Sequence, residues 1–83
     1  MTKNQDKIID VMEKSSARGK TKVYPTDLAK KAGIRPKEIK MDIKYLIDNS
    51  ELAYYHSGST TYIMLKKDYD LQNEREMMNV SNV

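Results

Sequence analysis

Between Ile34 and Lys67 the chain changes period once, from helical spacing to strand-like runs. That change constrains the fold more than any other feature. Pro36 suits a first helical position, where the missing N–H has no intrahelical acceptor to lose. Glu38 then falls in the first turn, where the helix dipole favours negative charge. Ile39, Ile43, Leu46 and Ile47 recur at i, i+4, i+7 and i+8 and make one apolar stripe. Lys37, Lys40, Met41 and Lys44 occupy the other face. Asn49-Ser50 ends the helix. Two runs rich in Tyr and Thr follow, Leu52–His56 and Thr61–Leu65, joined by Ser57-Gly58-Ser59-Thr60. These residue types favour strands, and a glycine at the turn favours a short hairpin.

Upstream, the spacing predicts a first helix over Asp6–Ser16, with Ile8, Ile9 and Met12 inward and Val11 on the flank. Arg18-Gly19-Lys20 breaks it with a basic loop. Lys22-Val23-Tyr24 reads as a short strand that joins the hairpin edge and makes a three-stranded sheet. Pro25 or Thr26 opens a second helix, with Thr26 as the expected N-cap. Leu28, Ala29 and Ala32 face inward, and Gly33 stands where a left-handed residue ends a helix. Helix, glycine turn, helix, hairpin is the order of a winged helix-turn-helix, an α+β fold. On the hairpin, Leu52, Tyr54, Ile63 and Leu65 are expected to share the core face. Tyr55, Tyr62 and Met64 point the other way, either onto the first helix or outward as a contact patch.

Residues 1–67 form that domain and carry 14 Lys/Arg against 8 Asp/Glu; residues 68–83 carry one Arg against four acids. We expect the acidic segment to be disordered or a short helix. Leu71, Arg75 and Met78 would line such a helix, with Met77 and Val80 adding apolar surface for a partner or for a second copy of the chain. The charge asymmetry also suggests that the tail folds over the lysines and screens them. No stretch is apolar enough to span a membrane, and the polar start MTKNQDKIID lacks the apolar run of a signal peptide, so a cytoplasmic location is expected.

Catalytic constellations are missing. The chain has one histidine, His56, and no cysteine. A Ser57 or Ser59 pair with His56 would sit on a hairpin tip with nothing to orient it. The same scarcity argues against a zinc or transition-metal site. Ser57-Gly58-Ser59 lacks the strand-to-helix context of a phosphate loop. The chain is expected to be no enzyme and to need no cofactor. Its candidate contact residues are Lys37, Lys40, Met41 and Lys44 on the third helix, with Arg18, Lys20, Lys66 and Lys67 as auxiliary cations for phosphates or another anionic partner. Lysines and a methionine are poor base readers beside Arg, Asn or Gln.

The segment Tyr54-Tyr55-His56-Ser57-Gly58-Ser59-Thr60-Thr61, followed by Leu65-Lys66, resembles the wing of the dissimilatory sulfite reductase D family. The similarity is densest over Ser57–Thr61 and extends through Tyr24, Asp27, Glu38, Ile39 and Lys40. Tyr55 stands where that family usually shows Trp, and His56 where it shows Ser. The resemblance implies a small winged-helix accessory protein that binds and activates a sulfite reductase, with Tyr55 to Thr61 as the wing contact. A DNA-binding regulator using double-stranded DNA is the alternative. Pro36-Lys37-Glu38-Ile39 resembles domains that bind left-handed DNA. Lys40, Met41 and Lys44, however, stand where those present Asn, Arg and Tyr, and the wing lacks their paired prolines.

Overall fold

The structure is a computed structural model that describes residues 3–81, with side chains described as far as Arg75. In chain order it contains α1 (Lys3–Ala17), α2 (Pro25–Ala32), α3 (Pro36–Asp48), β1 (Leu52–Ser57), β2 (Thr60–Leu65) and α4 (Lys66–Ser81). Three helices and a hairpin make the winged-helix arrangement, and α4 adds a fourth helix directly after the wing. No described helix is long and apolar enough to cross a membrane.

The first three helices end by one device. Gly19, Gly33 and Ser50 adopt left-handed backbone, with φ of 88°, 68° and 61°. The following amide then reaches back five residues: Lys20 to Ser15, Ile34 to Ala29 and Glu51 to Leu46. These bonds satisfy carbonyls that the helix leaves open. Glycine takes that backbone freely, whereas Ser50 does so against the steric preference of an L-residue. Asn49 adds a side-chain bond of 2.8 Å to the Tyr45 carbonyl.

Pro25 is the first residue of α2 and Tyr24 the cap residue, so Thr26 lies inside the helix rather than capping it. The same proline explains the fate of the third strand. Val23 makes two bonds with Ile63, of 3.0 and 2.7 Å, and pairing stops at that single bridge. A proline two residues on has no N–H to extend a ladder and turns the chain into a helix. The sheet is therefore two-stranded, with one rung added on the β2 side.

The hairpin register is Leu52↔Leu65, Tyr54↔Ile63, Tyr55↔Tyr62 and His56↔Thr61. Gly58 has φ 61° and Ser59 does not have positive φ, the pattern of a type II′ turn. The core gathers Ile8 and Met12 of α1, Leu28, Ala29 and Ala32 of α2, and Ile39, Ile43 and Leu46 of α3 around Val23, Leu52, Ile63 and Leu65. Ile9, Val11 and Ile47 pack at its margin. Two polar residues join the interior. Ser15 donates 2.7 Å to the Lys20 carbonyl, and Gln5 reaches Asp42 of α3 at 3.5 Å.

Tyr54 departs from expectation. It shares the core face yet is 43% exposed, while its partner Ile63 is fully buried. Ile63 lies on the strand flanked by Val23 and β1, whereas Tyr54 lies on the edge strand.

Residues 68–83 were expected to be disordered or to form a short helix, without contacts to the domain being foreseen beyond a fold over the lysines. The backbone enters α4 at Lys66, with the Lys66 amide bonded to the Glu51 carbonyl at 3.0 Å. Ser16 Oγ donates 2.7 Å to Asp68, tying this first turn to α1. The helix packs on both strands. Met64 is 1% exposed, so it is no part of an open patch. Leu71 and Arg75 are exposed; the side chains of Met77, Met78 and Val80 lie outside the described residues.

Candidate interaction surface

Helical spacing that buries Ile39, Ile43 and Leu46 places Lys37, Lys40, Met41 and Lys44 on open surface. Met41 is 76% exposed. A thioether held in water beside three lysines is an unusual use of an apolar side chain. At the foot of this face, Lys40, Ile43 and Lys44 meet Pro25, Tyr54 and Ile63 around a hollow of ≈ 340 Å³. Its floor is mostly apolar and two cations stand at its rim. The exposure of Tyr54 completes it. The lysine row is open, so the idea that the acidic tail screens it finds no support in the described part of α4, which packs on the strands.

The charge of this face differs from its appearance in sequence. Over Pro36–Asp48, Lys37, Lys40 and Lys44 are matched by Glu38, Asp42 and Asp48. The strands and their turn, Leu52–Leu65, carry no Lys, Arg, Asp or Glu. The third helix and the wing together are formally neutral. The cations lie earlier: from Arg18 to Arg35 there are six, Arg18, Lys20, Lys22, Lys30, Lys31 and Arg35, against Asp27 alone.

The wing residues divide between two faces. His56 Nδ1 and Thr61 Oγ1 are 3.2 Å apart across the register pair, near the turn. Ser57, Gly58 and Ser59 are exposed at the tip, and Thr60 is half-buried beside them. His56 has neighbours Tyr54 and Thr61, and neither is a carboxylate that could orient an imidazole for catalysis. Among the described residues, no group of three or more His, Cys, Asp or Glu is placed to hold a metal ion.

On the outer face of the sheet, alternation brings three tyrosines into a ladder that the sequence reading did not assemble. Tyr62 is central, with the Tyr24 ring 4.8 Å away on one side and Tyr55 6.4 Å away on the other. The Tyr24 and Tyr62 hydroxyls are 3.3 Å apart. Lys22 places its Nζ 4.3 Å above the Tyr55 ring, a cation–π contact. The hydrogen bond with Tyr24 holds the Tyr62 phenol above its ordinary ionisation range. The charge of a nearby Tyr24 phenolate and desolvation act in the same direction, and Lys22 pulls against them. The missed signal was the bridge itself, because Val23 opposite Ile63 puts Tyr24 opposite Tyr62.

The auxiliary cations are spread over two places. Arg18 and Lys20 lie on the loop between α1 and α2. Lys66 and Lys67 open α4, where Lys66 pairs with Asp70 at 2.9 Å.

Comparison with known proteins agrees with this architecture. A family model described as dissimilatory sulfite reductase D matches residues 4–68, so the likeness includes α1 and stops three residues into α4. Among solved structures, the neutron crystal structure of dissimilatory sulfite reductase D is similar with a TM-score of 0.61 and 27% identity. The match covers 80% of this chain and 94% of that one. No match was found among curated proteins.

Proposed function

The chain belongs to the dissimilatory sulfite reductase D family, and from that premise we propose that it is an accessory protein that binds a dissimilatory sulfite reductase and raises its turnover. It would do so without chemistry of its own, in the cytoplasm. The observation that carries this reading is the family match, which runs through the whole winged-helix unit rather than a single motif. The surface chemistry supports it. The third helix presents Lys37, Lys40 and Lys44 with an exposed methionine between them, and the hollow beside Tyr54 accepts an apolar side chain. Aromatic and methionine anchors within a polar rim are the composition of protein contacts. Around the hairpin, His56 and Thr61 on the Tyr54 side, Tyr55 on the other side, and Ser57, Gly58, Ser59 and Thr60 at the tip would add wing contacts.

Binding of double-stranded DNA is the second reading, favoured by a winged helix with lysines on its third helix. Its weakness is electrostatic. Non-specific DNA affinity comes from net neutralisation of phosphates, and α3 with the hairpin is formally neutral.

The test is a pull-down with a purified dissimilatory sulfite reductase, together with sulfite-dependent turnover with and without the protein. We expect a complex at micromolar concentration and faster turnover. No complex and unchanged turnover would end the accessory reading. A duplex affinity that survives physiological salt would favour the second.

A further inference from the structure

The cationic surface of this domain is not the helix on which a winged helix is ordinarily searched for one. It is the loop between α1 and α2 with the outer side of α2. There, Gly19 to Tyr24, Asp27 and Lys31 surround a hollow of ≈ 500 Å³ that shares no residue with the one beside Tyr54. Ser15 fixes this loop through the Lys20 carbonyl, and Val23 pins it to β2. The cations are thus presented on an anchored backbone, next to the tyrosine ladder.

We propose that this hollow is an electrostatic docking surface for a carboxylate-rich patch on the partner protein, contacted by Arg18, Lys20, Lys22, Lys31 and the hydroxyls of Tyr24 and Tyr62. The inference rests on the protein-partner reading given above and adds a second surface to it. Charge complementarity argues for an acidic occupant, since Asp27 is the one acid among these cations. The ring geometry argues for protein rather than single-stranded nucleic acid. Stacking platforms need open ring faces. Here Tyr62 lies between Tyr24 and Tyr55, and Lys22 covers Tyr55. Tyr24 at the end of the ladder is 45% exposed, and of the paired Tyr24 and Tyr62 hydroxyls one proton stays free to donate to a carboxylate.

The full chain should be measured against a purified dissimilatory sulfite reductase, with Lys20→Glu/Lys22→Glu compared with Lys40→Glu/Lys44→Glu. Complementary charge acts most strongly on association. We therefore expect the loop pair to slow association by roughly tenfold or more and to flatten its dependence on salt. The milder Lys20→Gln/Lys22→Gln should give a smaller loss of the same kind. Circular dichroism of each variant keeps a folding defect separate from a binding defect. If the wild type binds and both loop variants match its association rate, this inference is overturned and the accessory reading stands. Absence of any wild-type complex removes both. Loop variants that lose affinity for a single-stranded oligonucleotide while binding the enzyme normally would also overturn it.

Discussion

Replacing Leu46 by alanine tests the division of α3 into a buried and a presented face. Leu46 has no exposed surface. The substitution removes three carbon atoms from the core. At about 0.8 kcal/mol per buried methylene, the transfer loss is roughly 2.4 kcal/mol. The cavity left behind raises the total to about 3–4 kcal/mol. For an 83-residue chain, ~0.05–0.15 kcal/mol per residue gives a total stability of about 4–12 kcal/mol. The loss is thus a large fraction of the whole. Each kcal/mol moves the midpoint of a domain this size by roughly 4–8 °C, which puts the expected shift at about 12–30 °C. Met41→Ala, five residues earlier on the same helix and 76% exposed, is expected to change stability by no more than about 0.5 kcal/mol. Thermal melts followed by circular dichroism compare the two directly. A Leu46→Ala midpoint no lower than that of Met41→Ala would refute the assignment of faces and remove the basis for α3 as a contact surface.

Four further expectations follow from local geometry. Ser50→Gly relieves left-handed strain and, after the added entropy of the unfolded chain, should stabilise by up to about 1 kcal/mol in urea unfolding. Gly58→Ala should destabilise by about 1 kcal/mol, because its φ is positive although no atom obstructs a Cβ there. Ser16→Ala removes the 2.7 Å bond to Asp68 and should cost about 1 kcal/mol; hydrogen exchange should quicken in the first turn of α4 more than in α3. Tyr24→Phe should move the Tyr62 absorbance titration back towards 10.0. The folded-state value of Tyr62 lies above the unfolded one, so its contribution to stability is present below the unfolded value and is lost as pH rises through the folded one. The variant should weaken that alkaline loss.

The α3 stripe and the hairpin were legible because each has an unambiguous period and an explicit stop. Gly33 and Asn49-Ser50 end helices as their chemistry suggests. Other features needed three-dimensional context. Tyr54 has the alternation of a core residue, and only its place on the edge strand leaves it half in solvent. The strand around Val23 was expected to be longer, and Pro25 cuts it to one pair. The spacing of Leu71, Arg75 and Met78 suggested a short helix after the wing, but not that α4 would lie on both strands of the hairpin. The candidate surface was the least legible part. A row of lysines draws the eye to α3, yet Glu38, Asp42 and Asp48 cancel them. The cationic excess comes from residues scattered between Arg18 and Arg35, which fold into one neighbourhood. The tyrosine ladder was hidden for the same reason, because its rungs come from three separate segments.

The single backbone rung at Val23, with the Tyr24–Tyr62 contact beside it, makes the segment between α1 and α2 a clasp on β2. Opening it breaks two hydrogen bonds with Ile63, parts the Tyr24 and Tyr62 rings and uncovers one valine, while Gly19 and Pro25 hold the segment's ends in helix-terminal geometry. The Ser15 bond to the Lys20 carbonyl keeps the first part of the charged segment on α1, so local opening would centre on Val23. A visitor that grips the lysines is then coupled to β2 through Val23 and Tyr24, and any strain it applies is felt first at Ile63, in the middle of the protein, and at Tyr62 on its surface.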